Sequence, residues 1–282
     1  MSKVKVVVPW HNQKQKDEFL EAWGLRESDE RLILQRDIRK EGCAITKNRG
    51  IQEALRDEAD VIMVLDDDCY PATPHTTFSD FVSGHLKALK PQEVIMCVPT
   101  ILPQPRGTPY EKKTIKMPVA ASLGFWTDYP DLDAISALVL GPQPDEVRYL
   151  TSPVHGKVFP FCGMNFAFRR EWVENGCAQL VNIPRWDDIF MGWIWEKVAY
   201  EQGHCFNFGG PFVRHIRQSN IWKNLKEEVP YLEQNETLWS AVYCSPRGMT
   251  APQLREQFGL SYGTLGIPEA GVVDCPAQSK ES

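Results

Sequence analysis

The sequence lacks any long basic run, and its formal net charge is −6. Nucleic-acid coats and membrane-surface binders concentrate Lys and Arg, so neither class fits, although a nucleic acid held in a local groove as an acceptor is not excluded. No apolar stretch approaches the length that spans a bilayer, and no membrane partner is expected. The eight cysteines (43, 69, 97, 162, 177, 205, 244 and 275) are scattered and never form Cys-x-x-Cys, which removes the usual spacing of a zinc site. Several lie in apolar runs, where a free thiol packs as a small hydrophobe. Internal repeats and low-complexity blocks are absent. The N-terminus, Lys3 to Val8, reads as a strand rather than as a charged leader with a cleavage site, so a reduced, cytoplasmic protein is expected.

What is present is an ordinary globular composition, 43% hydrophobic and 24% charged. The length suits one catalytic domain over residues 1–240, followed by a partly irregular C-terminal extension over 241–282. Val4 to Val8 is β-branched and closed by Pro9, Arg31 to Gln35 is a second strand, and Val61 to Leu65 is a third. Between them, Asp17 to Trp23 and Thr46 to Leu55 have helical spacing, with Thr46 as the expected N-cap of the second. This β-α-β-α-β order predicts an α/β fold with a mostly parallel central sheet flanked by helices. Further on, a helix is expected over Phe78 to Leu89, a strand over Val94 to Val98 and an irregular loop from Pro99 to Pro118. A polar connector at Pro142 to Glu146 precedes a strand over Pro160 to Phe168. A Trp-rich helix over Asp187 to Gln202, an extended segment over Gly209 to Ile216, an amphipathic stretch from Asn220 to Tyr231 and a helix over Thr250 to Phe258 complete the pattern.

Ligands of such sheets bind beyond the carboxyl ends of the strands. Asp66-Asp67-Asp68 falls at that edge, directly after Val61 to Leu65. Three adjacent carboxylates repel one another, and a hard divalent cation such as Mg²⁺ or Mn²⁺ removes that cost while completing its shell with substrate phosphates. Strand alternation would send Asp66 and Asp68 to one side and Asp67 to the other, dividing metal and nucleotide between them. A solvated acidic turn is the plainer alternative. Asp187 and Asp188 open a helix, where two roles stand open: capping, or a carboxylate at the sugar pocket acting as base. His215 is a candidate to complete a metal site begun by Asp66 and Asp68, with Arg214 and Arg217 beside it to neutralise phosphate. Trp126 lies in a loop-like stretch and is the candidate to stack on a sugar or base, whereas Trp193 and Trp195 read as core.

Several segments together resemble the reversibly glycosylated polypeptide family, which includes UDP-arabinopyranose mutases. They are Leu65 to Cys69, Gly124 to Asp131, Arg148-Tyr149, Phe159 to Phe168, Arg185 to Asp188 with Gly192-Trp193, His215, and Ser219-Asn220 with Asn224 to Lys226. The resemblance implies a GT-A (Rossmann-like) fold, a UDP-sugar donor and a divalent metal, Mn²⁺ or Mg²⁺, on the acidic triplet. It assigns reversible self-glycosylation to the arginine at position 148. The segment Leu34 to Lys40 is shorter than in plant-type members, yet leaves Asp37 able to meet the nucleotide base.

The expected activity is therefore cleavage of the anomeric C–O bond of a UDP-sugar, by a glycosyltransferase or a mutase-like enzyme. The acceptor is unknown, and assembly with a second copy is open. A non-catalytic nucleotide-sugar-binding partner subunit is the alternative, against which the three retained aspartates argue. A phosphotransferase would normally carry a glycine-rich phosphate loop before a helix, and none is present.

Overall fold

The computed structural model describes residues 2–95, 114–129, 131–140, 153–216 and 220–260. In chain order these form β1 (Val4–Trp10), α1 (Gln13–Ala22), β2 (Leu32–Arg36), α2 (Cys43–Arg56), β3 (Val61–Leu65), β4 (Cys69–Pro71), α3 (Phe78–Ala88) and β5 (Gln92–Ile95). Next come β6 (Thr114–Met117), β7 (Val119–Leu123), β8 (Trp126–Asp128), α4 (Ala134–Leu140), β9 (Asn165–Arg169), α5 (Glu171–Glu174), α6 (Asp187–Glu201) and β10 (Cys205–Phe208). β11 (Val213–His215), α7 (Ile221–Glu228), α8 (Leu232–Cys244) and α9 (Ala251–Gln257) follow.

Six strands make the central sheet in the order β10-β7-β9-β3-β1-β2. β1 lies parallel to both β2 and β3, as the opening βαβαβ pattern predicts. The sheet is nevertheless mixed, because β9 runs antiparallel to both of its neighbours, β3 and β7. A hydrophobic pattern fixes which face a residue takes but not which way its strand points, so this reversal had no sequence signal.

Alternation along the strands feeds two cores. Val7, Ile62, Val64, Phe166 and Phe168 face the layer containing α2 and α6, while Val6, Val8, Met63, Leu65 and Ala167 face α1 and α3. The Gly50 position on α2 lets the helix approach β1 closely: a Cβ there would stand 2.4 Å from Val7 Cγ1. α6 is buried all round, since the sheet covers one side and α8 and α9 cover the other. Trp193 and Trp195 lie in this core, as expected.

Several boundaries differ from the sequence pattern. α1 begins early, capped by Asn12, and α2 begins at Cys43, so Thr46 is not a cap; its hydroxyl instead donates to the Gly42 carbonyl at 2.9 Å. Part of the expected loop before Pro118 is β6, which pairs with β5 as a hairpin. The expected strand over Pro160 to Phe168 starts only at Asn165. Residue 240, expected as a boundary, falls inside α8, and Ala251, Leu254 and Leu260 join the core beneath α6. The Pro142 to Glu146 connector and Arg148 lie outside the described residues. No helix among the described residues is long and apolar enough to cross a membrane.

Candidate active site

The acidic triplet does not continue β3. The Asp66 amide donates to the Met164 carbonyl at 3.0 Å, and the Cys69 amide returns to the Asp66 carbonyl at 3.0 Å, closing a tight turn. The turn sends the carboxylates three ways, correcting the two-sided arrangement expected of a strand. Asp66 meets the Lys47 ammonium, 2.8 Å from Oδ1 and 3.0 Å from Oδ2. Asp67 Oδ1 accepts from Gln15 Nε2 at 3.0 Å. Asp68 Oδ2 stands 3.6 Å from His215 Nε2.

A second small sheet explains the last approach. β11 pairs antiparallel with β4 in a register that sets His215 opposite Cys69, the residue after Asp68. The Tyr129 carbonyl lies 2.7 Å from His215 Nδ1. A carbonyl can only accept, so Nδ1 carries the proton and Nε2 turns toward the Asp68 carboxylate. Burial opposes the imidazolium, but Asp68 and the Tyr129 carbonyl outweigh it and raise the pKa of His215.

The same strand sends Arg214 to the opposite face, away from the acidic turn. There its Nε pairs with Asp128 at 3.2 Å, and both side chains are 44% exposed. The structure therefore separates Arg214 from the site that His215 joins. Arg217 lies outside the described residues. Trp126 belongs to β8 rather than to a loop, and its indole packs against the core on the α1 and α3 side.

A cavity of about 140 Å³ opens at the carboxyl ends of β1, β2 and β3, lined by Trp10, Asp37, Cys43, Asp66, Asp67 and Asp68 among others. Asp37 is thus part of this cavity's lining. Its carboxylate accepts from the Glu41 and Gly42 amides at 2.9 and 3.1 Å, shaping the loop that enters α2. A larger concavity of about 760 Å³ lies at the far end of α6, near Tyr200, Tyr243 and Arg247, and contains none of the expected site residues.

The second acidic pair approaches from α6. Trp186 occupies the N-cap position without a side-chain cap bond, and Asp187 and Asp188 fall in the first turn, where Asp188 satisfies one of the free amides of the helix. Asp188 Oδ2 accepts from the Gly163 amide at 2.6 Å and Oδ1 from the Ile189 amide at 2.8 Å. Burial, then the neighbouring Asp188, pushes Asp187 up to about 7. Asp188 is raised by burial and by Asp131. Burial also lifts Asp66 to about 6 against the pull of Lys47. Groups titrating near neutrality can exchange a proton with a bound hydroxyl.

Three residues with no role expected from the sequence, Lys47, Arg185 and Glu228, shape this region. Lys47 is 4% exposed and links Asp66 to the Gly163 carbonyl at 2.8 Å. Its signal was available: with Ala44, Ile51 and Ala54 it falls on the buried stripe of α2, where an unpaired lysine is costly. Arg185 adopts φ +68° and donates from Nε to Glu228 at 3.0 Å, and Glu228 also accepts from the Ala134 amide at 2.7 Å. Among the described residues, no group of three or more His, Cys, Asp or Glu side chains forms a metal-binding cluster.

The profile of the family described as reversibly glycosylated polypeptide matches residues 55–244, more than half of the chain. A probable UDP-arabinopyranose mutase 1 of Pisum sativum is 32% identical over 186 residues, covering 59% of this chain and 50% of that protein. UDP-arabinopyranose mutase 1 of Arabidopsis thaliana is 30% identical over 185 residues, covering 59% and 51%. The chain thus spans about half the length of the curated relatives it matches. Among solved structures, a glycosyltransferase involved in glycosylation of the major capsid of PBCV-1 superposes with a TM-score of 0.29 at 9% identity, over 91% of this chain and 98% of that chain. The acidic turn, the Gly163 loop and the Asp187–Asp188 pair all fall inside the matched span, and the chain belongs to the reversibly glycosylated polypeptide family.

Proposed function

We propose that this protein is a cation-dependent UDP-sugar enzyme with a GT-A-type site, which cleaves the anomeric C–O bond and acts as a mutase-like enzyme or a glycosyltransferase. The observation that carries the reading is the pair Asp68 and His215. Nε2 faces the Asp68 carboxylate at 3.6 Å while Nδ1 is committed to the Tyr129 carbonyl, so the pair presents a nitrogen and an oxygen donor side by side. The residues therefore fit a divalent cation, Mn²⁺ or Mg²⁺, with Asp68 and His215 as its protein ligands and substrate phosphates completing the shell. Bound there, such a cation supplies Lewis-acid stabilisation of the charge that builds on the departing diphosphate.

The remaining roles fall to the chain itself. Asp37 and Trp10 line the cavity where the nucleoside would lie, and Asp67 flanks it. The Asp187–Asp188 pair, held on the Gly163 loop, binds a sugar hydroxyl and exchanges its proton near neutral pH. The five strands that share one direction, with the acidic turn at the end of β3, support the GT-A assignment. Arg148 is assigned the acceptor role in self-glycosylation through the family resemblance.

The test is incubation with Mn²⁺ and a panel of UDP-sugars, with and without candidate acceptors. Interconversion of UDP-arabinopyranose and its furanose form without acceptor identifies a mutase. UDP release only with an acceptor identifies a transferase. Failure to bind any nucleotide sugar, with or without Mn²⁺, overturns the reading.

A further inference from the structure

Lys47 occupies an unusual position for a lysine. Its side chain is 4% exposed, and its ammonium contacts both oxygens of Asp66 at 2.8 and 3.0 Å and the Gly163 carbonyl at 2.8 Å. Two of these contacts are hydrogen bonds, to Asp66 Oδ2 and the Gly163 carbonyl, and the contact with Oδ1 is an ion pair. Gly163 passes the connection on, since its amide donates to Asp188 at 2.6 Å. A continuous run, Asp66 to Lys47 to Gly163 to Asp188, therefore joins the diphosphate side of the cleft to the sugar side.

We infer that Lys47 is a positioning residue that withdraws Asp66 from cation binding, leaves Asp68 with His215 as the cation's protein ligands, and holds the Gly163 loop against the acidic turn. The inference rests on the proposed cation-dependent UDP-sugar site. Two observations beyond the ion pair support it. The Asp66 amide donates to the Met164 carbonyl, which fixes the backbone from which the carboxylate reaches the buried Lys47. A divalent cation approaching Asp66 would also meet the ammonium head-on, and like charges at a few ångströms in a poorly hydrated site repel strongly. The turn directs the Asp68 carboxylate toward His215 on β11 instead.

The proposal predicts effects of opposite sign. Removing the ammonium frees a carboxylate next to the cation site, so cation affinity rises. The same change unties the Gly163 loop from the turn, so turnover falls. Loss of a nearby positive charge alone would tighten cation binding in the single and the double variant alike, whereas a freed Asp66 carboxylate tightens it only in the single one.

The experiment titrates Mn²⁺ into the full chain, following free Mn²⁺ by electron paramagnetic resonance, and measures UDP-sugar turnover on the same samples. Lys47→Met should bind Mn²⁺ about fivefold more tightly without nucleotide, with kcat reduced at least about tenfold and KM little changed. Lys47→Met/Asp66→Asn, which removes both charges, should return Mn²⁺ affinity to within about threefold of the unaltered protein, whereas Asp68→Asn should lose roughly tenfold or more.

The inference is overturned if Lys47→Met binds Mn²⁺ no more tightly, or if the double variant loses affinity as Asp68→Asn does. The double variant decides if the single one does not fold. An unaltered protein that binds neither Mn²⁺ nor UDP-sugar overturns the proposed function as a whole, while one that binds both, with Lys47→Met unchanged in affinity, removes only the role of Lys47.

Discussion

Gly163 and Asp188 are held so closely that the glycine has no space for a side chain. Its amide donates to Asp188 Oδ2 at 2.6 Å, and a Cβ built on Gly163 would stand 2.9 Å from Asp188 Cβ. Gly163→Ala should therefore push Asp188 away from the cleft. Turnover is expected to fall about tenfold or more, because sub-ångström misplacement of a reacting group is costly, while stability drops by only about 1–2 kcal/mol. Steady-state kinetics beside urea denaturation separates the two effects; equal turnover would remove Asp188 from the chemistry.

Asp187 gives the free protein a characteristic pH dependence. Its pKa rises from an ordinary 3.8 to about 7 on folding. Between those values the folded chain holds a proton that the unfolded chain releases, so this group's contribution to stability declines as pH rises through that window and the full cost of its burial stands above it. Asp187→Asn should accordingly be more stable than the unaltered protein at pH 8, by about 2 kcal/mol, with the difference shrinking as pH falls toward 5. Urea denaturation at the two pH values, without cation or nucleotide, checks the sign.

Asp68 and His215 should be separable by depth of effect. Asp68→Ala is expected to reduce Mn²⁺-dependent UDP binding by roughly a hundredfold, and His215→Ala by about tenfold, since an imidazole is the more replaceable ligand for a hard ion. Calorimetric titration of UDP with and without Mn²⁺ measures both. Tight, cation-dependent binding by Asp68→Ala would exclude its ligand role.

Arg214 supplies a contrasting case. It pairs with Asp128 on the face of β11 away from His215. Arg214→Ala should leave UDP affinity within about twofold, because exposed ion pairs of this kind contribute little. A larger loss in the same titration would mean that the arginine reaches the nucleotide after all.

Much of the site's frame was legible in the sequence. β1, β2 and β3 announced themselves through β-branched runs, and the position of Asp66 to Asp68 after the third strand followed from them. β7 was missed because Val119-Ala120-Ala121-Ser122-Leu123 is built of small residues with weak strand preference, although every one is buried. The turn at Asp66 depends on a bond to Met164, nearly a hundred residues away, which no local pattern encodes. The side taken by Arg214 was legible: alternation next to a buried His215 directs it to the other face.

The reversed strand β9 has a consequence for how the site comes into being. It lies between β3 and β7, so among the described strands it is the one that bridges the β2-β1-β3 block and the β7-β10 block of the sheet. Because it runs backward, the residues leading into it, rather than those leaving it, arrive beside Asp66. The first three strands by themselves carry the aspartates but only one wall of the cleft. Docking of β9 seats the opposite wall in the same step that unites the sheet, so completing the fold and completing the active site are one event.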